Sequence, residues 1–414
     1  MKWILLLSGI LLPTCLFAAT RHTLSDGHLV FEMLCTILVI FMALPGLVLF
    51  YGGMVQRKNV LSIFAQCIAM ASIVSLVWLV VGYQFAFRSL HWSDGVLGVF
   101  SFLSFSHLAF HLPTATTVQN LLHMIYQMGF AAIAVVIVIG GFAERMRFSA
   151  SVIFAPLWLL FVYCPIAHWI WGGGWLDKLG ALDFAGGAVV HVNAGVAGLV
   201  AALMLKERYK VHSQPNSLIL VTIGTSILWI GWFGFNAGSA TSLLTAVLAL
   251  VNTHVAATAA ALAWMTAEWV KHGKPSARSL LFGGIAGLVA ITPAAGYCTP
   301  IIAVLIGLIA GSVCFWLSEL KYRLNYDDAL DAFGLHGIAG IIGALLTGVV
   351  AVSAHPWYTQ LGIQALSLLV TIAWSALWTF VILWCIQKWH GLRVSPQAEL
   401  EGLDAHEHGE QLPY

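Results

Sequence analysis

Apolar runs of about 20 residues recur eleven times along this chain, the length a helix needs to cross a bilayer core. They lie near 28–50, 60–86, 119–142, 149–170, 187–205, 217–238, 242–268, 280–297, 300–319, 333–352 and 360–387. Gly52-Gly53, Gly172-Gly173-Gly174, Pro215, Pro275 and Pro300 punctuate the junctions. Of the 414 residues, 60% are hydrophobic and only 8% are charged, against roughly 25% charged in an average soluble protein. A water-soluble fold cannot hide that much apolar surface, so a soluble enzyme and a disordered chain are excluded. Lys+Arg 18 against Asp+Glu 17 leaves a net charge of +1, with no basic footprint for nucleic acid. The expected fold is an all-α polytopic membrane protein with eleven transmembrane helices.

Three regions are expected. Residues 1–19 read as a signal peptide: Lys2 opens it, Trp3 to Phe17 is its apolar core, and Ala18-Ala19 offers small residues for cleavage. The other reading of that stretch is an uncleaved helix, for which the core is short. Residues 20–389 form the transmembrane domain and 390–414 a cytoplasmic tail, polar and acidic, which read alone is a disordered end.

Orientation follows from the cations. With the mature N-terminus outside, 14 of the 18 Lys and Arg fall inside, among them Arg57, Arg145, Arg208, Lys271, Lys321 and Arg393. Arg21, Arg88 and Lys178 fall outside, and none remains in a membrane interior. An odd number of spans then puts the C-terminus inside. Trp92, Trp169, Trp171, Trp175 and Trp389 fall near the interfaces, as aromatic belts do. Cys35, Cys67, Cys164, Cys314 and Cys385 lie in apolar runs and read as small buried hydrophobes.

Ionisable residues inside spans are costly and point to function. His191 and His336 each begin the pattern His-x3-Gly-x2-Gly, in the fifth and tenth runs. The glycines stand on the histidine's side of the helix and admit a second helix. Matched motifs in matched helices suggest that helices 1–5 and 6–10 form an inverted repeat with its site near the midplane. The bland reading, a satisfied core histidine, suits one such residue better than two. Asp183 caps the fifth helix, holds the loop after Gly174, or attracts cations; the first two roles are structural and preferred. Glu32 and His28 read as interfacial, snorkelling residues. His123 and His168 stand near span ends, and the role of His254 is open. Asp327, Asp328 and Asp331 precede the tenth run, where carboxylates suit a helix N-terminus. Glu144 stands beside Arg145 and reads as its local partner. No motif suggests a phosphate site, a metal or a nucleophile, so neither an enzyme nor a cofactor is expected.

The sequence resembles the ammonium transporter family (Amt/Mep/Rh), bacterial Amt branch, over essentially all of the mature chain. The matching stretches include Phe50-Tyr51-Gly52-Gly53, Ala143-Glu144-Arg145-Met146-Arg147-Phe148-Ser149 and His168-Trp-Ile-Trp171-Gly-Gly-Gly174. Ala181-Leu-Asp183-Phe-Ala-Gly-Gly187, His191-Val-Asn193, Gly231-Trp-Phe-Gly-Phe235-Asn-Ala-Gly-Ser239-Ala240, Phe333-Gly-Leu-His336-Gly337 and Glu401-Gly-Leu-Asp404 follow in order. The resemblance implies a homotrimer in the inner (plasma) membrane, with one pore per subunit. It implies an outer recruitment site for ammonium at Tyr126, Phe130, Trp171 and Ser239, a gate at Phe130 and Phe235, and twin pore histidines at His191 and His336. Asp183 matches the aspartate near the recruitment site. Tyr126 departs from the more usual Phe and brings a hydroxyl into the vestibule. The tail is implied to pack across neighbouring subunits and to help receive a PII-type regulatory protein.

The chemistry fits a small base. An aromatic cage attracts a cation by about 0.5–2 kcal/mol, and a hydroxyl accepts one N–H. A dry lumen then disfavours charge and favours the neutral base. Expected function is recruitment of NH4+, its deprotonation, and conduction of NH3 past the histidines with net charge transfer. The alternatives are an electroneutral NH3/CO2 gas channel and an ammonium sensor acting through the tail.

Overall fold

The computed structural model describes residues 26–87, 115–209, 215–318, 320–324 and 326–412. The expected signal peptide, most of the 88–118 loop, Arg21, Arg88, Trp92 and Lys210 lie outside the described residues. Among those described, the chain is helical with no β-strand; a single isolated antiparallel bridge joins Met146 and Arg393.

Among the described residues, ten helices are long and apolar enough to cross a membrane. In chain order, and with one shorter helix counted in its place, the elements are α1 (Gly27–Met54), α2 (Arg57–Phe87), α3 (Val118–Phe142), α4 (Phe148–Leu179), α5 (Gly187–Leu205), α6 (Leu218–Ala237), α7 (Leu243–His272), α8 (Ala277–Ile291), α9 (Pro300–Ser318), α10 (Phe333–Val350) and α11 (Trp357–Trp389). The run expected near 280–297 is the exception. Its helix α8 has 15 residues and stops at Ile291. Thr292 turns its hydroxyl back to the Leu288 carbonyl at 2.8 Å, and Pro293 follows, which cannot continue the ladder. Hydrogen-bonded turns then lead to α9.

Among the described residues, five spans contain a wide π-type turn, at Met42–Gly46, Trp78–Gly82, Leu159–Tyr163, Gly187–Val192 and Phe333–Ile338. Pro45 accounts for the first by removing a donor. The last two carry His191 and His336, and such turns are frequent at functional sites.

Helices α5 and α10 sit at the centre of the bundle. Every residue of 187–198 is buried. A Cβ at Gly195 would lie 2.4 Å from the Gly337 nitrogen, and one at Gly343 would lie 2.1 Å from the Ala290 oxygen. The small residues after each histidine therefore let backbones meet, as the motif suggested. The outer faces of α9 and α11 present Ile301, Leu305, Leu369 and Leu377 instead, a surface suited to lipid. Cys385 lies on such a face and is exposed, contrary to expectation; Cys35, Cys67, Cys164 and Cys314 are buried. His254 also faces outward, beside the Trp229 and Phe233 rings at 6.0 Å each, and away from the bundle centre.

Charges gather at the tail-bearing end. Glu144 is not the partner of Arg145. Its carboxylate accepts from the Gln56 backbone at 2.7 Å, from Asn59 Nδ2 at 2.8 Å and from Arg208. Arg208 also donates to Asp327 from Nε and Nη2, each at 2.7 Å. Arg145 instead donates to the Gly141 and Asp327 carbonyls at 2.7 and 2.6 Å. A positive φ of 68° at Glu144 turns neighbouring side chains apart, which sequence adjacency does not show. Nor is the tail an irregular end. It forms two short helices, α12 (Pro396–Glu401) and α13 (Leu403–His408). Arg393 clamps Glu399 and the Leu205 and Glu207 carbonyls, Asp404 accepts from the Ser62 backbone at 2.8 Å, and Leu403 donates to Asn59 Oδ1 at 2.9 Å. These contacts are all within one chain.

Candidate functional site

The site is built as a column of rings. At the end opposite the tail lies a cavity of about 520 Å³, lined among others by His28, Glu32, Tyr126, Trp171 and Ser239. Helix α3 places Tyr126 and Phe130 one turn apart on one face, with ring centroids 5.0 Å apart. Trp171, at the end of the helical stretch before Gly172, meets Phe130 edge-on at 5.9 Å. Its indole nitrogen donates to the Asp183 carbonyl at 2.7 Å, which fixes the ring.

The Tyr126 hydroxyl ties the vestibule to the end of α6. It donates toward the Phe235 carbonyl at 2.8 Å and the Gly234 carbonyl at 3.0 Å, and lies 3.2 Å from Ser239 Oγ. Ser239 itself donates to the Phe235 carbonyl at 3.0 Å. Its oxygen lone pairs are thereby left to accept an N–H.

Below the cavity, Phe130 and Phe235 stack with centroids 4.0 Å apart and planes 19° apart. Both are fully buried. Beneath them Phe235 lies 5.8 Å from the His191 ring. His191 stacks on Trp232 at 5.1 Å, and Trp232 is held by Thr292 Oγ1 at 2.9 Å. His191 Nδ1 and His336 Nδ1 are 3.2 Å apart, with ring planes 21° apart. The other His191 nitrogen, Nε2, is buried and meets no protein hydrogen-bond partner among the described residues.

Each histidine helix starts on an aspartate eight residues earlier. Asp183 accepts four backbone N–H groups, from Gly186, Gly187, Ala188 and Val189, at 2.6–3.0 Å. Asp328 accepts from Ala332 at 3.0 Å and Phe333 at 2.8 Å. Burial pushes both carboxyls above their ordinary values; these N–H groups pull the other way without cancelling it, and Asp331 adds to burial at Asp328, which reaches about 6. The caps orient each wide turn, and with it each imidazole.

The structure thus brings all eight expected site residues together. Tyr126, Trp171 and Ser239 line the cavity, Phe130 and Phe235 stack below it, His191 and His336 pair beneath them, and Asp183 stands behind Trp171. The sequence reading missed Trp232, one turn before Phe235, and took Glu32 and His28 for snorkelling residues when they line the cavity. The matched Asp-x7-His spacing was visible in the chain and would have linked Asp328 to Asp183. Among the described residues no cluster of His, Cys, Asp or Glu is arranged to hold a metal.

A polytopic helical protein whose centre is an apolar column ending on paired imidazoles is built for a small solute. The comparisons agree. The Ammonium Transporter Family model matches residues 30–412, and the chain belongs to that family. It is 43% identical over 399 residues to an ammonium transporter of Bacillus subtilis, covering 93% of this chain and 98% of that one. It is 45% identical over 408 residues to an ammonium transporter of Aquifex aeolicus, at 95% of each. Among solved structures, the Mep2 protein of Saccharomyces cerevisiae aligns with a TM-score of 0.82 at 32% identity, covering 91% of this chain and 92% of that one. A chain described as "Sensor Amt Protein" aligns with a TM-score of 0.83 at 32% identity, over 92% and 98%. The Bacillus subtilis and Aquifex aeolicus relatives are named as transporters, not as enzymes.

Proposed function

We propose that this chain carries ammonium across the membrane by taking up NH4+ at the Tyr126–Trp171–Ser239 cage, removing one proton and passing NH3 along the column. The observation that carries the reading is the unbroken sequence of rings, Tyr126, Phe130, Phe235, His191 and His336, with no charged side chain among them. Stacked phenyls offer no ligands to replace water around an ion, so a cation of fixed charge such as potassium is refused. An ammonium ion escapes that penalty by giving up its proton. His191 Nε2 then offers NH3 a polar stop inside an otherwise apolar path.

The same reading takes α8 as an eleventh crossing, with the N-terminus outside, the tail inside and helices 1–5 and 6–10 as an inverted repeat. The paired Asp-x7-His caps support that symmetry, and the charges collected at the tail end support that orientation. It further takes the assembly as a homotrimer in the inner membrane, with a PII-type protein as a partner at the tail-bearing face. Co-elution of a PII protein with the trimer, with and without nucleotide and 2-oxoglutarate, tests that partner.

Net charge transfer is the preferred form. Reconstituted protein should give a current on addition of ammonium, smaller with methylammonium. Uptake of ammonium without current would replace it with the electroneutral gas channel. A sensor role finds support in the alignment with the chain described as "Sensor Amt Protein"; uptake indistinguishable from protein-free vesicles would favour it.

A further inference from the structure

We propose that Glu32 is the cation-capturing carboxylate of the outer vestibule, positioned by His28. The inference rests on the transport reading and names a residue that sets its affinity for ammonium. One helical turn separates the two side chains on α1, and His28 Nε2 lies 3.0 Å from Glu32 Oε1. Both line the cavity that holds Tyr126, Trp171 and Ser239. Among the described residues lining that cavity, Glu32 is the only acid and none is Lys or Arg. Its side chain is 27% exposed, so the carboxylate is anchored on one side and open on the other.

The physics separates its task from that of the cage. Cation–π attraction and a hydroxyl act at contact. A carboxylate in a concave, aromatic-walled mouth acts further out, because low-dielectric walls focus its field and raise the local cation concentration. It also accepts N–H bonds, of which ammonium has four to give. An acid in the otherwise apolar run Leu29-Val-Phe-Glu32-Met-Leu-Cys35 is placed at a cost on insertion. Here its open side faces the solute entrance.

The test is ammonium-evoked current together with ammonium uptake in proteoliposomes for wild type, Glu32→Gln and Glu32→Asp, at low and high ionic strength set with N-methylglucamine chloride. Glu32→Gln should raise the half-saturating ammonium concentration about fivefold at low salt, with Glu32→Asp close to wild type. The difference should shrink at high salt, where the Debye length falls to about 3 Å at 1 M. Equal values for Glu32→Gln and wild type would overturn the role of Glu32 while leaving the transport reading intact. Equal losses in Gln and Asp variants would show packing in place of charge and overturn it too. No ammonium-dependent transport by wild type would overturn both.

Discussion

His191 and His336 face each other through Nδ1 atoms 3.2 Å apart, so one nitrogen carries the shared hydrogen and the other accepts it. The arrangement leaves His191 Nε2 turned away from the pair. Replacing either histidine by alanine is expected to lower the ammonium rate at least tenfold or to admit potassium, measured as current. Asp183 acts at the same scale by a different route. Its four N–H bonds hold the turn that carries His191, and Asp183→Ala should destabilise the protein by about 2–4 kcal/mol. Thermal unfolding in detergent checks this, and the effect should exceed that of Asp183→Asn, which keeps one acceptor oxygen. The histidines were legible because a repeated motif is a local pattern. Phe130 and Phe235 were legible only through family resemblance, since the chain has 23 Phe and nothing local marks two of them as stacked. Glu32 was misread because its place in the sequence sets its depth and leaves open whether it faces lipid or a cavity.

At the scale of elements, α5 and α10 depend on absent side chains. A Cβ at Gly195 meets the Gly337 backbone at 2.4 Å, and backbone cannot rotate aside. Gly195→Ala should therefore part the two helices, cost about 1–3 kcal/mol of stability and lower transport by spreading the histidine pair. Unfolding and ammonium uptake measured on the same preparation check both. Small residues spaced along an apolar run announced this contact in the sequence. The end of α8 was announced only by Pro293, which a hydropathy count passes over. An apolar run of span length continues past Ile291, but Thr292 satisfies its hydroxyl on the preceding turn and Pro293 ends the helix there. Hydropathy measures composition and carries no information about such a stop.

For the molecule as a whole, the charged tail-bearing end locks distant segments together. Arg208 joins Glu144 to Asp327, and all three are nearly buried. Arg208→Ala takes the cation from Glu144 and leaves Asp327 only the more distant Arg145, 3.5 Å away, and should cost about 3–5 kcal/mol, seen as a lower unfolding midpoint and faster proteolysis of the tail. Acid should probe the same lock. Burial pushes the Asp327 carboxyl up, but Arg208 outweighs it and holds the group below its ordinary value. A depressed carboxyl adds stability above its unfolded value of about 4 and loses it as pH falls through the folded value. Asp328, raised to about 6 mainly by burial and Asp331, acts in the opposite sense: its contribution is greatest below about pH 4 and is lost as pH rises through 6. Thermal midpoints taken from pH 3 to 8 should show a shallower acid loss in Asp327→Asn and a weaker decline between pH 4 and 6 in Asp328→Asn. The pairings behind this were hidden in the sequence, because Arg208 and Glu144 are 64 residues apart and Arg208 and Asp327 are 119 apart. Their sign and their common side were legible from the loops alone.

The central claim is that only a solute able to shed its charge passes the column. The direct measurement is current through reconstituted wild-type protein with ammonium, with potassium, and with ammonium in excess potassium, alongside the His191→Ala variant. An ammonium current is expected in wild type, none from potassium, and no loss when potassium is added. Potassium current through wild type, or full rate and full selectivity in His191→Ala, would contradict it.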